Sequence, residues 1–282
     1  MRINYDKTVK IGKSIINHGK YSNRIYLMKI DQSDFPEIIQ ILDDLAKVNG
    51  YTKIFAKIPY LFKEAFIKSG YGIEATIPGF YKGVEDVIFM GKYFSEERAR
   101  LKESNKIKEI IDISCTKDKI EKQIELGEEY HFHLCDKNDV LQMCKVYRAV
   151  FETYPFPISD EKYIEKTMNE NFIYFSIKHK EKIVSLASTE MDYTSKSVEM
   201  TDFATLHKYR GKGFSIQLLG KMEEEMRLKN FYMAFTIARS ISYGINITFS
   251  KLNYKYGGTL INNTNISGDL ESMNVWYKIL NL

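Results

Sequence analysis

Residues 207–219, HKYRGKGFSIQLL, decide how the rest of the chain is interpreted. The strand-like segment SVEMTDFAT comes directly before them, and a segment with an apolar stripe opposite charged residues follows. Glycine at such a strand-to-helix turn lets the backbone approach a ligand closely, and the first helical N–H groups have no intrahelical partners. Because the helix dipole adds positive potential, the turn is suited to a phosphate or pyrophosphate.

The cationic residues of this turn support that interpretation without making it unique. Arg210 and Lys212 flank Gly211, and Gly213 precedes the helix. The turn matches neither the P-loop, GxxxxGK[ST], nor the dinucleotide fingerprint, GxGxxG. A plain turn with exposed charges is therefore an alternative at this point.

The segments around the turn alternate between strand and helix patterns. Residues 130–282 predict a strand, two helices, three strands, the turn and its helix, a strand, a helix and two strands. Residues 1–94 also alternate, with RIYLMKI, TKIFAKI and EDVIFMGKYF as strands. There Asp34 is the expected cap of the first helix, and the run IPGFYKG is the expected turn. The expected fold class is therefore α/β, with helices layered on a sheet.

The length of 282 residues fits about two domains of ~150 residues each. We expect an N-terminal α/β domain over residues 1–94 and a second domain over residues 130–282. Residues 95–129 are charge-dense and have few large apolar side chains. This composition predicts an exposed helical linker between the two domains.

Charge and hydropathy exclude several classes of function. The 41 Lys and Arg against 37 Asp and Glu give a net charge of +4, spread along the chain. Because a nucleic-acid binder usually has a concentrated basic stripe, we expect no nucleic-acid partner. No stretch approaches the ~20 apolar residues of a membrane span, and the N-terminus lacks the features of a signal peptide. A cytoplasmic protein without a membrane partner is expected.

The cysteines and histidines do not form a metal-binding pattern. Cys115, Cys135 and Cys144 form no CxxC pair, so we expect free thiols in a reducing compartment. His131 and His133 alternate on a predicted strand, but no third ligand is spaced to join them. No metal is expected.

In its context the turn resembles the acyl-CoA loop of the GNAT acetyltransferase family. The family pattern, Arg/Gln-x-x-Gly-x-Gly/Ala, falls on Arg210, Gly213 and Ser215, and Ser215 departs from the usual residue at the last position. The order of elements over residues 130–282 is similar to that family as well. The resemblance implies the GNAT fold and acetyl-CoA as co-substrate. It implies these cofactor-binding residues: Phe203, Ala204, Thr205, Arg210, Gly211, Lys212, Gly213, Phe214, Ser215, Asn246 and Phe249.

Further segments resemble the β-lysine N-acetyltransferases within that family. The similar runs are residues 199–205, 236–239, 257–260 and 273–276. The resemblance implies acetyl transfer to the side-chain (N6) amine of β-lysine, which gives a compatible solute (an osmolyte). Direct attack in a ternary complex is expected, because no cysteine lies in a plausible acceptor motif. The N-terminal domain resembles the last helix-strand-strand part of a GNAT domain, so it is either a degenerate half-domain or an unrelated cap.

Acetyl transfer to an amine requires a proton acceptor, because an alkyl ammonium with a pKa near ~10 is mostly charged at neutral pH. Strand alternation places Glu199 on the same face as Thr201 and Phe203, and we favour Glu199 as the base. Asp202 is expected to point to the opposite face unless a bulge intervenes. Glu190, on the preceding strand, is the second candidate. Alternatively, all three carboxylates only bind a cationic substrate by charge.

The resemblance also implies residues for the leaving thiolate and for the substrate. The tyrosine that often protonates the thiolate in this family falls at Phe249, which cannot donate a proton. Tyr243, Tyr254 or water is therefore expected to replace it. Arg239 and Tyr243 are the expected substrate-binding residues, with Arg239 or Arg148 as the partner of a substrate carboxylate.

Other functions remain open from the sequence. A GNAT enzyme for another small amine or for a peptide N-terminus would have the same turn. A non-catalytic acyl-CoA-binding protein would keep the turn without turnover, and an adaptor without a ligand would leave it unexplained. The oligomeric state is also open, with a homodimer as one option.

Overall fold

The structure is a computed structural model that describes residues 5–120 and 126–280, and in these ranges thirteen strands form one sheet. The strands are β1 (Lys7–Ile11), β2 (Ser14–Gly19), β3 (Arg24–Lys29), β4 (Lys53–Pro59), β5 (Gly72–Tyr81), β6 (Glu85–Tyr93), β7 (Tyr130–Leu134), β8 (Phe172–His179), β9 (Lys182–Asp192), β10 (Ser197–Thr205), β11 (Met233–Arg239), β12 (Lys255–Ile266) and β13 (Asp269–Ile279). Their order across the sheet is β1-β2-β3-β4-β6-β5-β12-β13-β11-β10-β9-β8-β7.

Eight α-helices in the same ranges pack on the sheet or on each other. They are α1 (Glu37–Asn49), α2 (Lys63–Lys68), α3 (Glu96–Ala99), α4 (Ser104–Thr116), α5 (Val140–Val150), α6 (Glu161–Asn169), α7 (Phe214–Leu228) and α8 (Tyr243–Lys251). Short 3-10 turns precede α1, α2, α5 and α7, at Gln32–Asp34, Tyr60–Phe62, Lys137–Asp139 and His207–Tyr209. Along the described parts of the chain, no helix combines the length and the apolar character that a membrane span requires.

The strands on the two sides of the sheet's centre follow the same order. On one side β3 is parallel to β4, while β6 is antiparallel to both β4 and β5. On the other side β10 is parallel to β11, while β13 is antiparallel to both β11 and β12. A helix connects each parallel pair, α1 in one case and α7 in the other. We call residues 5–94 the N-terminal half and residues 130–280 the C-terminal half.

Helices cover both faces of the C-terminal half. The amphipathic pattern of α7 is confirmed, because its apolar stripe is fully buried against β8, β9 and β10. α5 and α6 pack on the opposite face. In the N-terminal half, α1 and α2 cover one face, and the other face packs against β11 and β13 through residues such as Phe55 and Phe80. One face of the N-terminal half therefore lies against the C-terminal half.

The two halves meet where β5 pairs with β12, at Ala75 and Gly258. Gly258 has a φ of 141°, and a Cβ there would lie 2.3 Å from the backbone oxygen of Glu74. The close approach therefore requires glycine. Beside it, the buried ammonium of Lys53 donates to both carboxylate oxygens of Glu74 and to the backbone oxygen of Ile261. The hydrogen bonds of Lys53 and Glu74 with the backbone of Ile261 tie the N-terminal half to β12.

The segment predicted to be an exposed linker is partly buried. It contains α3 and α4, while residues 121–125 of the prediction lie outside the described residues. α4 packs against α8 and buries Ile107 and Ile110, and Arg98 on α3 is buried with its guanidinium donating to the backbone oxygen of Ser22. The prediction of a fully solvated helix was wrong, because its few apolar residues are spaced three to four apart and form one buried stripe.

Two local predictions in the N-terminal half were also wrong. Asp34 does not cap α1, because its carboxylate accepts hydrogen bonds from the backbone N–H groups of Lys13 and Ser14. The run IPGFYKG is mostly strand, because β5 continues to Tyr81. A register shift between Ile77 and Tyr81 absorbs the glycine within that strand.

Candidate active site

The predicted phosphate turn lies at the start of α7 and has an open backbone. Gly211 and Gly213 have φ values of 80° and 77°, in the left-handed region that favours glycine. Among the described residues, no hydrogen bond involves the backbone N–H groups of residues 211–215. Arg210 and Lys212 are exposed beside these donors. The turn therefore offers free N–H groups and positive charge to a phosphate.

An aromatic cluster holds this turn against the edge of the sheet. The Tyr209 hydroxyl lies 3.1 Å from His179 Nδ1, and the ring of Tyr130 contacts Phe214 with centroids 4.8 Å apart. The ammonium of Lys212 lies 5.6 Å from the centre of the Tyr130 ring. Because the Phe214 side chain is buried in this cluster, it anchors the turn and leaves its backbone facing outwards.

β10 and β11 separate next to the turn. In the described structure their parallel pairing runs over residues 197–199 of β10 and goes no further. β11 stays paired with β13 as far as Arg239. The second part of β10, which includes Phe203, Ala204 and Thr205, therefore has an open edge towards β11. A strand edge of this kind can pair with the amide groups of an extended ligand.

Two carboxylates lie side by side where this gap opens. Glu199 on β10 is directly opposite Glu190 on β9 and Phe235 on β11. Burial raises the pKa of Glu199 to about 8, and the charge of Glu190 adds to the rise while Lys57 opposes it. Burial also raises the pKa of Glu190, again opposed by Lys57. The pair thus contains a proton acceptor with a pKa not far from neutral.

Asp202 lies on the same face as this pair, which corrects the expectation from strand alternation. β10 has a bulge between Thr201 and Ala204, and Asp202 has a φ of 54°. The extra residue reverses the direction of the side chain. It also places Phe203 on the opposite face from Glu199, where it packs against Phe249, so the expected shared face of these two residues was wrong. The buried carboxylate accepts hydrogen bonds from the hydroxyls of Ser188 at 2.5 Å and Tyr154 at 2.6 Å. Burial raises the pKa of Asp202, and these hydrogen bonds oppose the rise.

The N-terminal half closes over the acidic pair. Phe80 on β5 contacts Phe235 edge-on, with ring centroids 5.2 Å apart. The ammonium of Lys57 on β4 lies 6.0 Å and 5.9 Å from the same two centroids. Tyr26 on β3 is buried, and after burial the charge of Glu199 is the next cause that raises the pKa of its hydroxyl. Both halves therefore line the site.

Asn246, a predicted cofactor contact, is bound inside the fold. Its amide nitrogen donates to the backbone oxygens of Arg239 and Ser242, and its amide oxygen accepts from Asn274 and Trp276. The side chain is fully buried. A contact with the cofactor would require it to give up one of these hydrogen bonds.

Both predicted carboxylate-binding arginines already have partners. The guanidinium of Arg239 forms a bidentate ion pair with Glu271 across β11 and β13, with N–O distances of 2.8 Å and 2.6 Å. Arg148 is exposed and donates to the backbone oxygen of Ser159. These contacts hold elements of the fold together and do not bring either arginine into the acidic pair.

The residues predicted around the leaving thiolate are dispersed. Phe249 is fully buried and packs edge-on against Phe203 and Tyr254, with centroids 5.5 Å and 4.9 Å apart. Burial raises the pKa of Tyr254 well above its ordinary value. Tyr243 is exposed, and its hydroxyl donates to Glu109 on α4. None of these contacts brings a tyrosine hydroxyl to Glu199.

No metal site is evident in the described structure. Within residues 5–120 and 126–280, no group of three or more His, Cys, Asp or Glu side chains is placed to hold a metal ion. Cys115, Cys135 and Cys144 are free thiols. His133 lies 2.7 Å from Asp139, which in turn forms an ion pair with Lys178, so this histidine is part of a hydrogen-bonded cluster.

Four residues of the site carry no sequence motif. Ser188 could have been predicted from the sequence, because it lies two positions before Glu190 on the same strand and therefore on the same face. Tyr154 follows α5, and Tyr26 and Lys57 lie in the N-terminal half, so their distance from the turn along the chain hides them. Long-range packing alone brings them together.

Comparisons with known proteins agree with this geometry. A family model described as "Acetyltransferase (GNAT) family" matches residues 141–240, which include the acidic pair, the bulge and the phosphate turn. The chain belongs to the GNAT acetyltransferase family, and it is an acetyltransferase. The predicted family and fold class are thereby confirmed.

Three curated proteins are similar over most of the chain. It is 41% identical to the β-lysine N(6)-acetyltransferase of Methanococcus maripaludis, over 97% of this chain and 99% of that protein. It is 36% identical to the β-lysine N(6)-acetyltransferase of Methanosarcina mazei, over 78% of this chain and 81% of that protein. It is 32% identical to the N-acetyltransferase YodP of Bacillus subtilis, over 95% of this chain and 96% of that protein.

Proposed function

We propose that this enzyme transfers the acetyl group of acetyl-CoA to the side-chain (N6) amine of β-lysine. The observation that carries the proposal is the pair of carboxylates, Glu190 and Glu199, beside the gap between β10 and β11. A substrate with two ammonium groups is attracted by such a site. Similarity to two proteins named β-lysine N(6)-acetyltransferase supports this choice of amine.

The residues of the turn and of the gap fit acetyl-CoA. The free N–H groups of residues 211–215 would hold the pyrophosphate, and Arg210 and Lys212 would add positive charge. The open edge of β10 at residues 203–205 would pair with the amides of the pantetheine arm. Acetyl-CoA supplies the acetyl group as an activated thioester.

Glu199 is the proposed proton acceptor. Because burial and the charge of Glu190 raise its pKa to about 8, it can take a proton from the ammonium near neutral pH. Glu190 is the second candidate, directly or through a water molecule. Asp202 already accepts hydrogen bonds from two hydroxyls, so in this proposal it attracts the amine by charge.

Direct attack in a ternary complex is the proposed order of events. Burial raises the pKa of the Cys144 thiol to about 11 and that of the Cys135 thiol to about 12. Thiols with such values remain protonated at neutral pH and are poor acyl acceptors. This supports transfer without an acyl-cysteine. Water, Tyr243 or Tyr254 remains the proposed proton donor to the leaving thiolate.

The product fits the predicted role as a compatible solute. Acetylation removes one positive charge from β-lysine and leaves one ammonium and one carboxylate, so the product has no net charge. We propose this role together with a cytoplasmic location. The homodimer remains a prediction.

We also propose that residues 1–94 are a degenerate half of a GNAT domain, joined through residues 95–129 to the catalytic domain at residues 130–282. The support is the shared strand order of β1–β6 and β8–β13. In this proposal the N-terminal domain forms one wall of the substrate pocket.

A thiol-release assay tests the proposed function. Purified protein is incubated with acetyl-CoA and, separately, with β-lysine, lysine, a polyamine or a short peptide. We expect the highest kcat/KM with β-lysine and a product acetylated at N6 by NMR. No thiol release above background with β-lysine would overturn the proposed substrate. Acetyl-CoA binding without release for any amine would indicate a binding protein instead.

A further inference from the structure

Lys57 is a cation of the N-terminal half that faces the acidic pair. It lies on β4 and is half-buried, over the rings of Phe80 and Phe235. Phe235 is the residue directly opposite Glu199 in the sheet. Within residues 5–120 and 126–280, the Lys57 ammonium forms no hydrogen bond and no ion pair within 4.0 Å. Its charge is therefore available to a ligand that binds beside the acidic pair.

The charged groups around Lys57 come from both halves. Glu190, Asp192 and Glu199 on β9 and β10 interact electrostatically with Lys57, which opposes the rise in the pKa of the two glutamates. In the N-terminal half, Tyr81 interacts with it as well. Among the described residues, the ammonium forms no ion pair with these carboxylates, so its charge is not neutralised by direct contact.

A β-lysine molecule carries charges that match this arrangement. At neutral pH it has two ammonium groups and one carboxylate. The acidic residues can receive the ammonium groups, but its carboxylate needs a cation. Arg239 is bound to Glu271 and Arg148 to a backbone oxygen on the surface, which leaves Lys57 as the cation beside the acidic pair.

We propose that Lys57 forms a carboxylate-binding subsite, so that the N-terminal half selects amino acids that carry a second amine over simple diamines. This inference rests on the proposed function, since it places the carboxylate of the same substrate. The ammonium of Lys57 donates to that carboxylate while Glu199 and Glu190 hold the amine that reacts. Lys57 is thus a specificity residue, and it takes no part in the proton transfer.

The test compares two substrates that differ only in the carboxylate, β-lysine and 1,4-diaminopentane. We expect the wild-type enzyme to prefer β-lysine. Lys57→Gln is expected to lower kcat/KM for β-lysine by about 10–100-fold, mainly through KM, because a charge-assisted hydrogen bond is lost. The value for the diamine is expected to change by less than about threefold, and Lys57→Arg is expected to retain most of the preference.

The ratio of the two kcat/KM values separates this role from an effect on the base. Loss of the Lys57 charge also raises the pKa of Glu199, but that change acts on both substrates equally and cancels in the ratio. Lys92→Gln is the matched control, since Lys92 is a half-buried strand lysine paired with Asp43 on the other face. It is expected to leave the ratio unchanged.

Two outcomes overturn different claims. If the wild-type enzyme acetylates β-lysine but Lys57→Gln lowers kcat/KM for both substrates by the same factor, the subsite is refuted and the proposed function stands. If wild-type enzyme acetylates neither compound, the proposed function fails and the subsite with it. A melting temperature near the wild-type value for Lys57→Gln or Lys57→Arg keeps the comparison interpretable.

Discussion

Tyr26 and Glu199 occupy equivalent positions in the two halves of the sheet, and only the second carries a carboxylate. Each is the third residue in the parallel pairing of its half, and each lies opposite a phenylalanine on the next strand. The neighbour on the preceding strand is Asn17 in the N-terminal half and Glu190 in the C-terminal half. The same frame thus presents an aromatic wall in one half and an acidic pair in the other.

The connections that follow these strands differ just as clearly. After β10 the turn has glycines at 211 and 213 and exposed cations beside free N–H groups. After β3 the turn is acidic, and the Asp34 carboxylate accepts from the backbone N–H of Ser14 at 2.7 Å. A phosphate would be repelled there. The comparison teaches that the strand order supplies a frame, while a few residues decide whether it binds a cofactor.

Removal of the carboxylate that distinguishes the C-terminal half should have the largest effect. We expect Glu199→Gln to lower kcat/KM for the amine by about 10²–10⁴-fold, because general-base catalysis is lost. In wild-type enzyme, kcat/KM should rise with pH towards a plateau above about pH 8, since Glu199 must be deprotonated. Steady-state kinetics at several pH values between about pH 6 and pH 9, a range that spans this pKa, measure both the loss of activity and its pH dependence.

Two further variants show whether this effect is specific. Glu225→Gln alters an ion-paired glutamate on α7 and is expected to leave kcat/KM near the wild-type value. Asp202→Asn, which keeps a polar partner for Ser188 and Tyr154, is expected to cost less than Glu199→Gln. If the Glu199→Gln enzyme has the wild-type kcat, Glu199 is not the base, and Glu190 becomes the remaining candidate.

The joint between the halves should be the most sensitive point for stability. Gly258→Ala would place a Cβ 2.3 Å from the backbone oxygen of Glu74 at a φ of 141°. We expect the free energy of unfolding to fall by about 3 kcal/mol or more, because the backbone of β5 or β12 must shift. Denaturant unfolding followed by circular dichroism measures the change.

Gly220→Ala is the matched control for that substitution. Gly220 lies inside α7, with nothing within 4 Å of a Cβ built there, so alanine is expected to stabilise by up to about 1 kcal/mol. If Gly258→Ala unfolds like wild type, the halves are not held together by the close approach of β5 and β12.

A substitution in the glycine turn should weaken the binding of acetyl-CoA, whereas a substitution in the equivalent connection of the N-terminal half should not. Gly213→Ala is strained at a φ of 77° and covers N–H donors, so we expect the KM for acetyl-CoA to rise about tenfold at a cost of ~1 kcal/mol in stability. Asp34→Asn, in the equivalent connection, is expected to leave that KM unchanged. Equal effects of the two variants on KM would contradict the assignment of the phosphate turn to the C-terminal half.

Local patterns were sufficient for most strands and for the position of the glycine turn before α7, but they did not show that Glu190 and Glu199 lie opposite each other. The stripe of α7 follows from its spacing, and the alternation of β10 holds for Glu199 and Thr201. The expectation that Phe203 shares their face was wrong, because Phe203 packs against Phe249 on the α7 side of the sheet.

Asp202 shows the limit of predicting side-chain direction from strand alternation, because a bulge depends on the fit between neighbouring strands. Asn246 shows a second limit, since its role depends partly on hydrogen bonds from Asn274 and Trp276, which lie far along the chain on β13.

The contribution of the N-terminal half to the site could not be predicted from local patterns. Lys57 and Tyr26 lie on strands with ordinary alternation, and they reach the acidic pair only because one face of that half lies against the C-terminal half. The structure also extends the resemblance of this half beyond its last three elements to the order of all six strands. That order depends on pairing between segments far apart in sequence.

The last expected effect is a change in how stability depends on pH. The pKa of Glu199 rises from 4.5 to about 8 in the folded protein, so between these values the native state binds more protons than the unfolded chain. Its contribution to stability is therefore greatest at low pH and is lost as the pH rises through that window. Relative to wild type, Glu199→Gln should gain about 4 kcal/mol between pH 5 and pH 9, because each unit of pKa difference is worth ~1.4 kcal/mol. Asp192→Asn is the control, because the pKa of Asp192 is lowered and the group stays ionised over this range. Calorimetry should show a constant offset for Asp192→Asn and a growing one for Glu199→Gln, and parallel curves for both would contradict the raised pKa of Glu199.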